Sequence, residues 1–178
     1  MTDGGFGPAV DATAARRFVT DVRVRYSDLD AQGHVNNARV LTLLEEARVD
    51  WLYADASRHG ADQLVEALVV AHLTIHYRRP LQFGPPARVS LGVSAVGRAS
   101  FTVDYVITSE SEVVATASTV LVAVGVDDGR PLRLGDRERR YLARYQAPYL
   151  AGERPTLRDR LNDSGTDGIS PRYAAWGR

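Results

Sequence analysis

The sequence predicts an α+β domain in which one long helix covers one face of a five-stranded antiparallel sheet. Three observations predict it. A single stretch repeats its apolar residues at helical spacing, with Val40, Leu43, Leu44, Ala47, Trp51 and Ala54 on one stripe. Four other stretches alternate with period two, one ahead of the helix and three behind it, and a last one is apolar on both sides. Glycine, proline and small polar residues punctuate the gaps between the later stretches, at Leu81–Pro86, Gly97–Ser100, Ser109–Glu112 and Asp127–Pro131.

The elements follow in order. Residues 1–17 are small, polar and Gly/Ala-rich and read as a flexible leader. From Phe18 to Tyr26 a strand is expected, with Phe18, Thr20, Val22, Val24 and Tyr26 on one side. The polar stretch SDLDAQGHVNN must be a loop, and it runs into the helix, whose first turn Asn36 or Asn37 is suited to cap. A polar linker with a short helix follows around Ser57–Glu66. Ala67, Val69, Ala71, Leu73, Ile75 and Tyr77 then form one face of a strand. Val89, Leu91, Val93 and Ala95 form the next, and Phe101, Val103, Tyr105 and Ile107 the one after. The run Val113–Val126 is apolar on both sides, which suits a central strand. Gly135–Tyr145 is charged, arginine-rich and of a length for a short helix. The domain is expected to span 18–147, and 148–178 reads as a mobile tail with few apolar residues. No internal repeat is found.

Composition narrows the chemistry. The 178 residues suit one domain, and 44% hydrophobic with 25% charged residues suits a globular one. Basic and acidic residues number 22 each, which argues against a nucleic-acid or polybasic membrane partner. There is no cysteine, so disulfides, thiol nucleophiles and cysteine metal sites are excluded. Every basic residue is arginine, which excludes a Schiff-base lysine and a Gly-Lys-Ser/Thr phosphate loop. No apolar run reaches the length of a membrane span and the first twenty residues lack a secretory stretch, so a cytoplasmic protein is expected. His72 and His76 share a strand with no third ligand nearby, so no metal is expected. Gly92-Val-Ser94-Ala-Val-Gly97 has one residue too many for a nucleophile elbow and lies on a strand.

Reactive side chains crowd into one loop: Asp28, Asp30, Gln32, His34, Asn36 and Asn37. A helix start offers unpaired N–H donors and a partial positive charge, which can hold a carbonyl oxygen as it becomes an oxyanion. A carboxylate just upstream can act as nucleophile or as general base on water. On spacing alone, a loop in which these residues only cap and turn is the commoner outcome.

The string itself adds weight. Asp30-Ala-Gln-Gly-His34-Val-Asn36-Asn37-Ala-Arg, running on to Leu44-Glu45-Glu46-Ala47-Arg48, resembles the hotdog-fold acyl-CoA thioesterases of the 4-hydroxybenzoyl-CoA thioesterase superfamily, in particular its long-chain acyl-CoA branch. The resemblance extends from about Phe18 to Val126 and implies a five-stranded antiparallel sheet wrapped around a long helix. It implies that Asp30 serves thioester hydrolysis and that His34 supports it by orienting Asp30 or a water. Gln32 stands where related acyl-carrier-protein thioesterases have asparagine; Asn36 and Asn37 match the motif asparagines and either contact substrate or brace the loop. Asp28 is read as structural. Some hotdog enzymes carry a catalytic glutamate on this helix, but Glu45 and Glu46 are read as solvated or salt-bridged. Arg98, in the turn Gly97-Arg98-Ala99-Ser100, partly matches a basic cluster that grips the coenzyme A phosphates in relatives, and Arg78 and Arg79 could add contacts.

The expected activity is cleavage of an acyl-CoA thioester to free acid and coenzyme A, with no cofactor. An acyl-carrier-protein thioesterase, for which arginines 133–144 are the only basic patch, and a non-catalytic acyl-CoA-binding module are the alternatives. Hydratase motifs of the fold (Asp-x-Asn-Pro-x-His, His-Phe-Pro-Gly) are missing. Since the family pairs its sheet edges, a homodimer or homotetramer is expected, with Arg98 available to the partner's site.

Overall fold

The computed structural model describes residues 16–146. The leader up to residue 15 and the tail from 147 lie outside the described residues. In chain order the elements are β1 (Phe18–Val22), a 3-10 turn (Tyr26–Asp28), α1 (Asn37–Trp51), α2 (Gln63–Glu66), β2 (Leu68–Tyr77), β3 (Ala87–Val96), β4 (Ser100–Ser109), β5 (Glu112–Ala123) and α3 (Asp136–Ala143). The five strands form one antiparallel sheet in the order β1-β3-β4-β5-β2, so β1 and β2 are its edges. This is the expected α+β arrangement, the hotdog fold.

The core lies between α1 and one sheet face. Val40, Leu43, Leu44, Ala47 and Trp51 of the helix are buried against Val89, Leu91 and Val93 of β3, Phe101, Val103, Tyr105 and Ile107 of β4, and Ala115, Ala117, Thr119, Leu121 and Ala123 of β5. The four apolar residues of β4 expected on one face are all buried, with Asp104 of the opposite face buried as well, and β5 lies inside the sheet, with β4 on one side and β2 on the other.

Four details depart from the sequence reading. The first strand ends at Val22: Val24 is still buried, but the chain then turns in 3-10 geometry and leaves Tyr26 on the surface, 80% exposed. After Trp51 the helix opens into one π turn, Leu52–Ala56. The wider turn rotates the buried stripe, so Leu52 and Ala56 are buried in place of Ala54. In β2 a bulge between Val70 and His72 reverses the alternation. Leu73 and Ile75 face the core as expected, while Val69 and Ala71, expected inward, are exposed. A second bulge, between Val93 and Ala95, leaves Ala95 exposed.

Candidate active site

The loop between β1 and α1 is tied down by hydrogen bonds to its backbone groups. Asp30 N–H donates to the His34 carbonyl (2.8 Å), and Gly33 N–H donates to the Asp30 carbonyl (3.1 Å). Gly33 has φ of 80°, in the left-handed region where a side chain would be strained. The far side of the loop is sewn to the segment after β2: Val35 N–H donates to the Leu81 carbonyl (2.9 Å), and His34 and Gln82 form a bridge.

Asp30 is half-buried at the centre of this turn. Its Oδ1 accepts from Gln32 N–H (2.8 Å) and His34 N–H (3.2 Å), leaving Oδ2 outside that pair of bonds. One carboxylate oxygen thus fixes the loop and the other takes no part in those two bonds. Asp28, two residues back, is 5% exposed and differently employed. Its Oδ2 accepts from Arg25 N–H (2.8 Å) and its carbonyl accepts from Asn36 N–H (2.8 Å), so it braces the loop from below.

Asn36 is the N-cap of α1, its Oδ1 accepting from Ala38 N–H (2.9 Å). The Arg39 and Val40 N–H groups are taken by the Asn36 carbonyl. The Asn37 N–H makes no such bond among the described residues, so one donor at the positive end of the helix stays open. Asn37 is held from the other side, because Tyr77 OH donates to its carbonyl (2.8 Å). Burial beside the helix pushes the Tyr77 hydroxyl up, which keeps it a proton donor.

The structure therefore brings together Asp30, Gln32, His34, Asn36 and Asn37 in one clamped loop. Gln32 is exposed and enters the clamp through its backbone N–H. Arg98 does not join them. Its exposed turn lies at the other end of the ten-residue β3, roughly 30 Å away along the strand. There the Arg98 carbonyl accepts from Leu134 N–H (3.0 Å) and from Arg139 Nη2 (3.2 Å), beside α3. Arg78 and Arg79 sit at the loop's own end of the sheet, with Arg79 paired to Glu112 (3.2 Å). Glu46 pairs with Arg25 (3.0 Å) and Glu45 with Arg48 (3.5 Å), as the salt-bridged reading expects. Among the described residues no three histidine, aspartate or glutamate side chains gather as a metal site would require. An open cleft of about 480 Å³ at the β4–β5 turn is lined by Asp21, Arg88 and Glu110 among others, and none of the loop residues lines it.

Sequence reasoning missed Tyr77, Leu81 and Gln82, which hold the helix start and the loop from outside. Period-two alternation reads Tyr77 only as a strand residue, and a backbone clamp leaves no side-chain pattern to find.

Comparison with known proteins comes to the same place. The thioesterase-like superfamily matches residues 24–162. Long-chain acyl-CoA thioesterase FadM of Escherichia coli is 34% identical over 61% of this chain and 82% of its own. A 1,4-dihydroxy-2-naphthoyl-CoA hydrolase of Synechococcus elongatus is 32% identical over 54% of this chain and 74% of its own. A Thermus thermophilus thioesterase solved with coenzyme A and Zn superimposes with a TM-score of 0.60 at 31% identity, covering 70% of this chain and 90% of that one.

Proposed function

The chain belongs to the thioesterase-like superfamily and is a thioester hydrolase, and on that premise we propose that it cleaves acyl-CoA thioesters with Asp30 as the acting carboxylate. The observation that carries the assignment is the juxtaposition in one loop of the Asp30 carboxylate and the open Asn37 N–H. The N–H, reinforced by the helix dipole, polarises the thioester carbonyl and receives the developing oxyanion. Asp30 then either attacks the carbonyl carbon, expelling coenzyme A as thiolate and leaving an anhydride for water to open, or takes a proton from the water that attacks. Both routes need the same charge at the same place. His34, fixed through its backbone to Asp30, supports that carboxylate or the water.

The direct experiment is release of free thiol from a panel of acyl-CoAs, aliphatic and aromatic. The chain has no cysteine, so it adds no thiol background. No release above the uncatalysed rate from any member would leave the binding-module reading in its place. Of the arginines at 133–144 that the carrier-protein alternative would use, Arg139 is spent on the carbonyls of Leu134, Gly97 and Arg98.

We further propose a homodimer joined edge to edge through β2, with the active site at the subunit boundary. Among the described residues this edge is unpaired, and Val69 and Val70 on it are 50% and 45% exposed. Tyr77 of this edge holds the start of α1, so a second copy on β2 would lie beside the Asp30 loop. Antiparallel pairing would also bring the Arg98 end of each chain to the same end of the joined sheet as the other's catalytic loop. If Arg98 grips the nucleotide phosphates there, Arg98→Ala raises KM severalfold for full acyl-CoA and leaves kcat nearly unchanged, because the contact is equal in ground and transition states. Steady-state kinetics with acyl-CoA and with a pantetheine thioester check this; an equal effect on both substrates removes Arg98 from the phosphate site.

A further inference from the structure

Two hydroxyls buried between α1 and the sheet have no hydrogen-bond partner among the described residues. Tyr105 of β4 is 1% exposed and Thr119 of β5 is 0% exposed, and both hydroxyl oxygens are unpaired. A buried hydroxyl left unpaired destabilises a fold, so native proteins keep few of them. The two are diagonal neighbours, since Tyr105 pairs with Ala117 and Val103 with Thr119. Arg48 of α1 completes the group: its side chain is only 11% exposed, and it meets the exposed Glu45 at 3.5 Å. The Arg48 guanidinium and the Thr119 hydroxyl both lie beside Tyr105 Oη, but not in hydrogen-bonding geometry. Burial pushes the Tyr105 hydroxyl up, so it stays a proton donor. The other unpaired buried atoms lie elsewhere: Trp51 Nε1 among the tyrosines of the α3 end, Thr116 Oγ1 on the opposite sheet face, and Arg17 Nη1 ahead of β1.

This group stands at the end of a lane of small side chains. On its core face β5 presents Ala115, Ala117 and Thr119, which give an incoming hydrocarbon little to displace. The lane starts level with the Asn37 end of α1, because Tyr77, which holds the Asn37 carbonyl, pairs with Ala115. Ala117, with Tyr105 opposite, lies about 7 Å farther along β5, and Thr119 about 14 Å farther. Arg48 lies about 16 Å along α1 from Asn37. Resting on the acyl-CoA reading above, we propose that Tyr105, Thr119 and Arg48 form the far end of the acyl site and select acyl chains that carry an oxygen there, as a hydroxyl or a carboxylate. An unsubstituted chain leaves two hydroxyls and a guanidinium facing hydrocarbon, which buried polar groups resist. An oxygen at that depth accepts from Tyr105 Oη, Thr119 Oγ1 or the guanidinium and removes the penalty. Charge separates the two kinds of oxygen, since a carboxylate gains the more from Arg48.

Steady-state kinetics of the full chain with octanoyl-, decanoyl- and dodecanoyl-CoA, and with their ω-hydroxy and ω-carboxy counterparts, reads this directly. At one or more lengths kcat/KM should be higher for an oxygenated chain by about tenfold or more. Tyr105→Phe/Thr119→Val should bring that ratio to within about threefold of unity, and Arg48→Gln should cut the ω-carboxy advantage more than the ω-hydroxy one. Urea unfolding separates this from a role in packing. Because the hydroxyls are unpaired in the free protein, the double variant should unfold at the same urea midpoint or a higher one. Tyr105→Phe alone, which removes a single oxygen atom, carries the same test if the double variant fails to fold. Plain chains hydrolysed as well as oxygenated ones at every length overturn the proposal, as does an advantage that survives the hydroxyl substitutions or a urea midpoint that falls with them. A carboxylate advantage untouched by Arg48→Gln removes Arg48 from the site. Hydrolysis of no member, plain or oxygenated, would instead remove the acyl-CoA reading on which the inference rests.

Discussion

Asp30→Asn should lower kcat for thiol release by on the order of a hundredfold or more, the scale of a lost general base or nucleophile. Asparagine is the informative replacement because Asp30 Oδ1 accepts the Gln32 and His34 N–H groups, and an amide oxygen can keep both bonds. The loop therefore survives while its charge and basicity go, and KM and the thermal midpoint should change little. Alanine would lose the turn together with the charge and could not separate the two. The same substitution at Asp28 is the control. Its carboxylate braces Arg25 N–H in a buried position, a bond an amide oxygen can also make, so activity should stay near wild type. Thiol release within about threefold of wild type after Asp30→Asn, or greater damage from Asp28→Asn, would assign the chemistry to the other carboxylate.

Trp51→Ala should destabilise the fold by about 3–5 kcal/mol, the cost of emptying a large aromatic site in a packed core. Trp51 is fully buried at the end of α1. It stacks on Tyr141 at a centroid distance of 5.7 Å and meets Tyr145 edge-on at 5.3 Å, so it is the seat on which α3 docks. The two tyrosines add directional ties: Tyr141 OH donates to the Trp51 carbonyl (3.4 Å), and Tyr145 OH donates to Asp55 Oδ2 on the π turn (2.5 Å). Burial pushes both phenols up, so they remain protonated donors throughout the working pH range. Trp51→Phe keeps a ring in the site and should cost clearly less than alanine. Urea unfolding checks both variants, with an unchanged slope showing that the midpoint shift is a change in stability. A loss below about 1.5 kcal/mol for alanine would mean that the neighbouring tyrosines collapse into the space.

How much of this was legible in the sequence depends on which kind of interaction fixed each feature. The strand faces of β4 and the stripe of α1 are set by burial of alternating or helically spaced apolar side chains, and such patterns are written in residue types. Bulges are not. Nothing in Leu68-Val-Val-Ala-His-Leu marks where an extra residue enters β2, because Val69 and Ala71 suit either face, and the ladder with β5 decides. Tyr26 looked like the last inward residue of a strand, but the Arg25–Asp28 hydrogen bonds had already turned the chain. At the site, Asp30, His34 and Asn36 stood out as chemically able side chains close in sequence. The partners that hold them, Leu81, Gln82 and Tyr77, lie far along the chain and act through backbone carbonyls or a single hydroxyl. Arg98 shows the converse: a residue type that suits phosphate, placed by the topology at the far end of its own sheet.

The order β1-β3-β4-β5-β2 also distributes the entropy of folding unevenly. β3, β4 and β5 follow one another as a meander whose turns close only a few residues each, whereas Val22 must find Ala87 and Tyr77 must find Ala115. Loop closure therefore weighs mainly on the two edge strands. The Asp30 loop hangs between these late arrivals, leaving β1 at one end and stitched to the segment beyond β2 at the other. On the proposed assignment catalytic competence is a property of the completed chain topology: a partial opening that frees either edge would undo the Asp30 loop while the central meander stays folded.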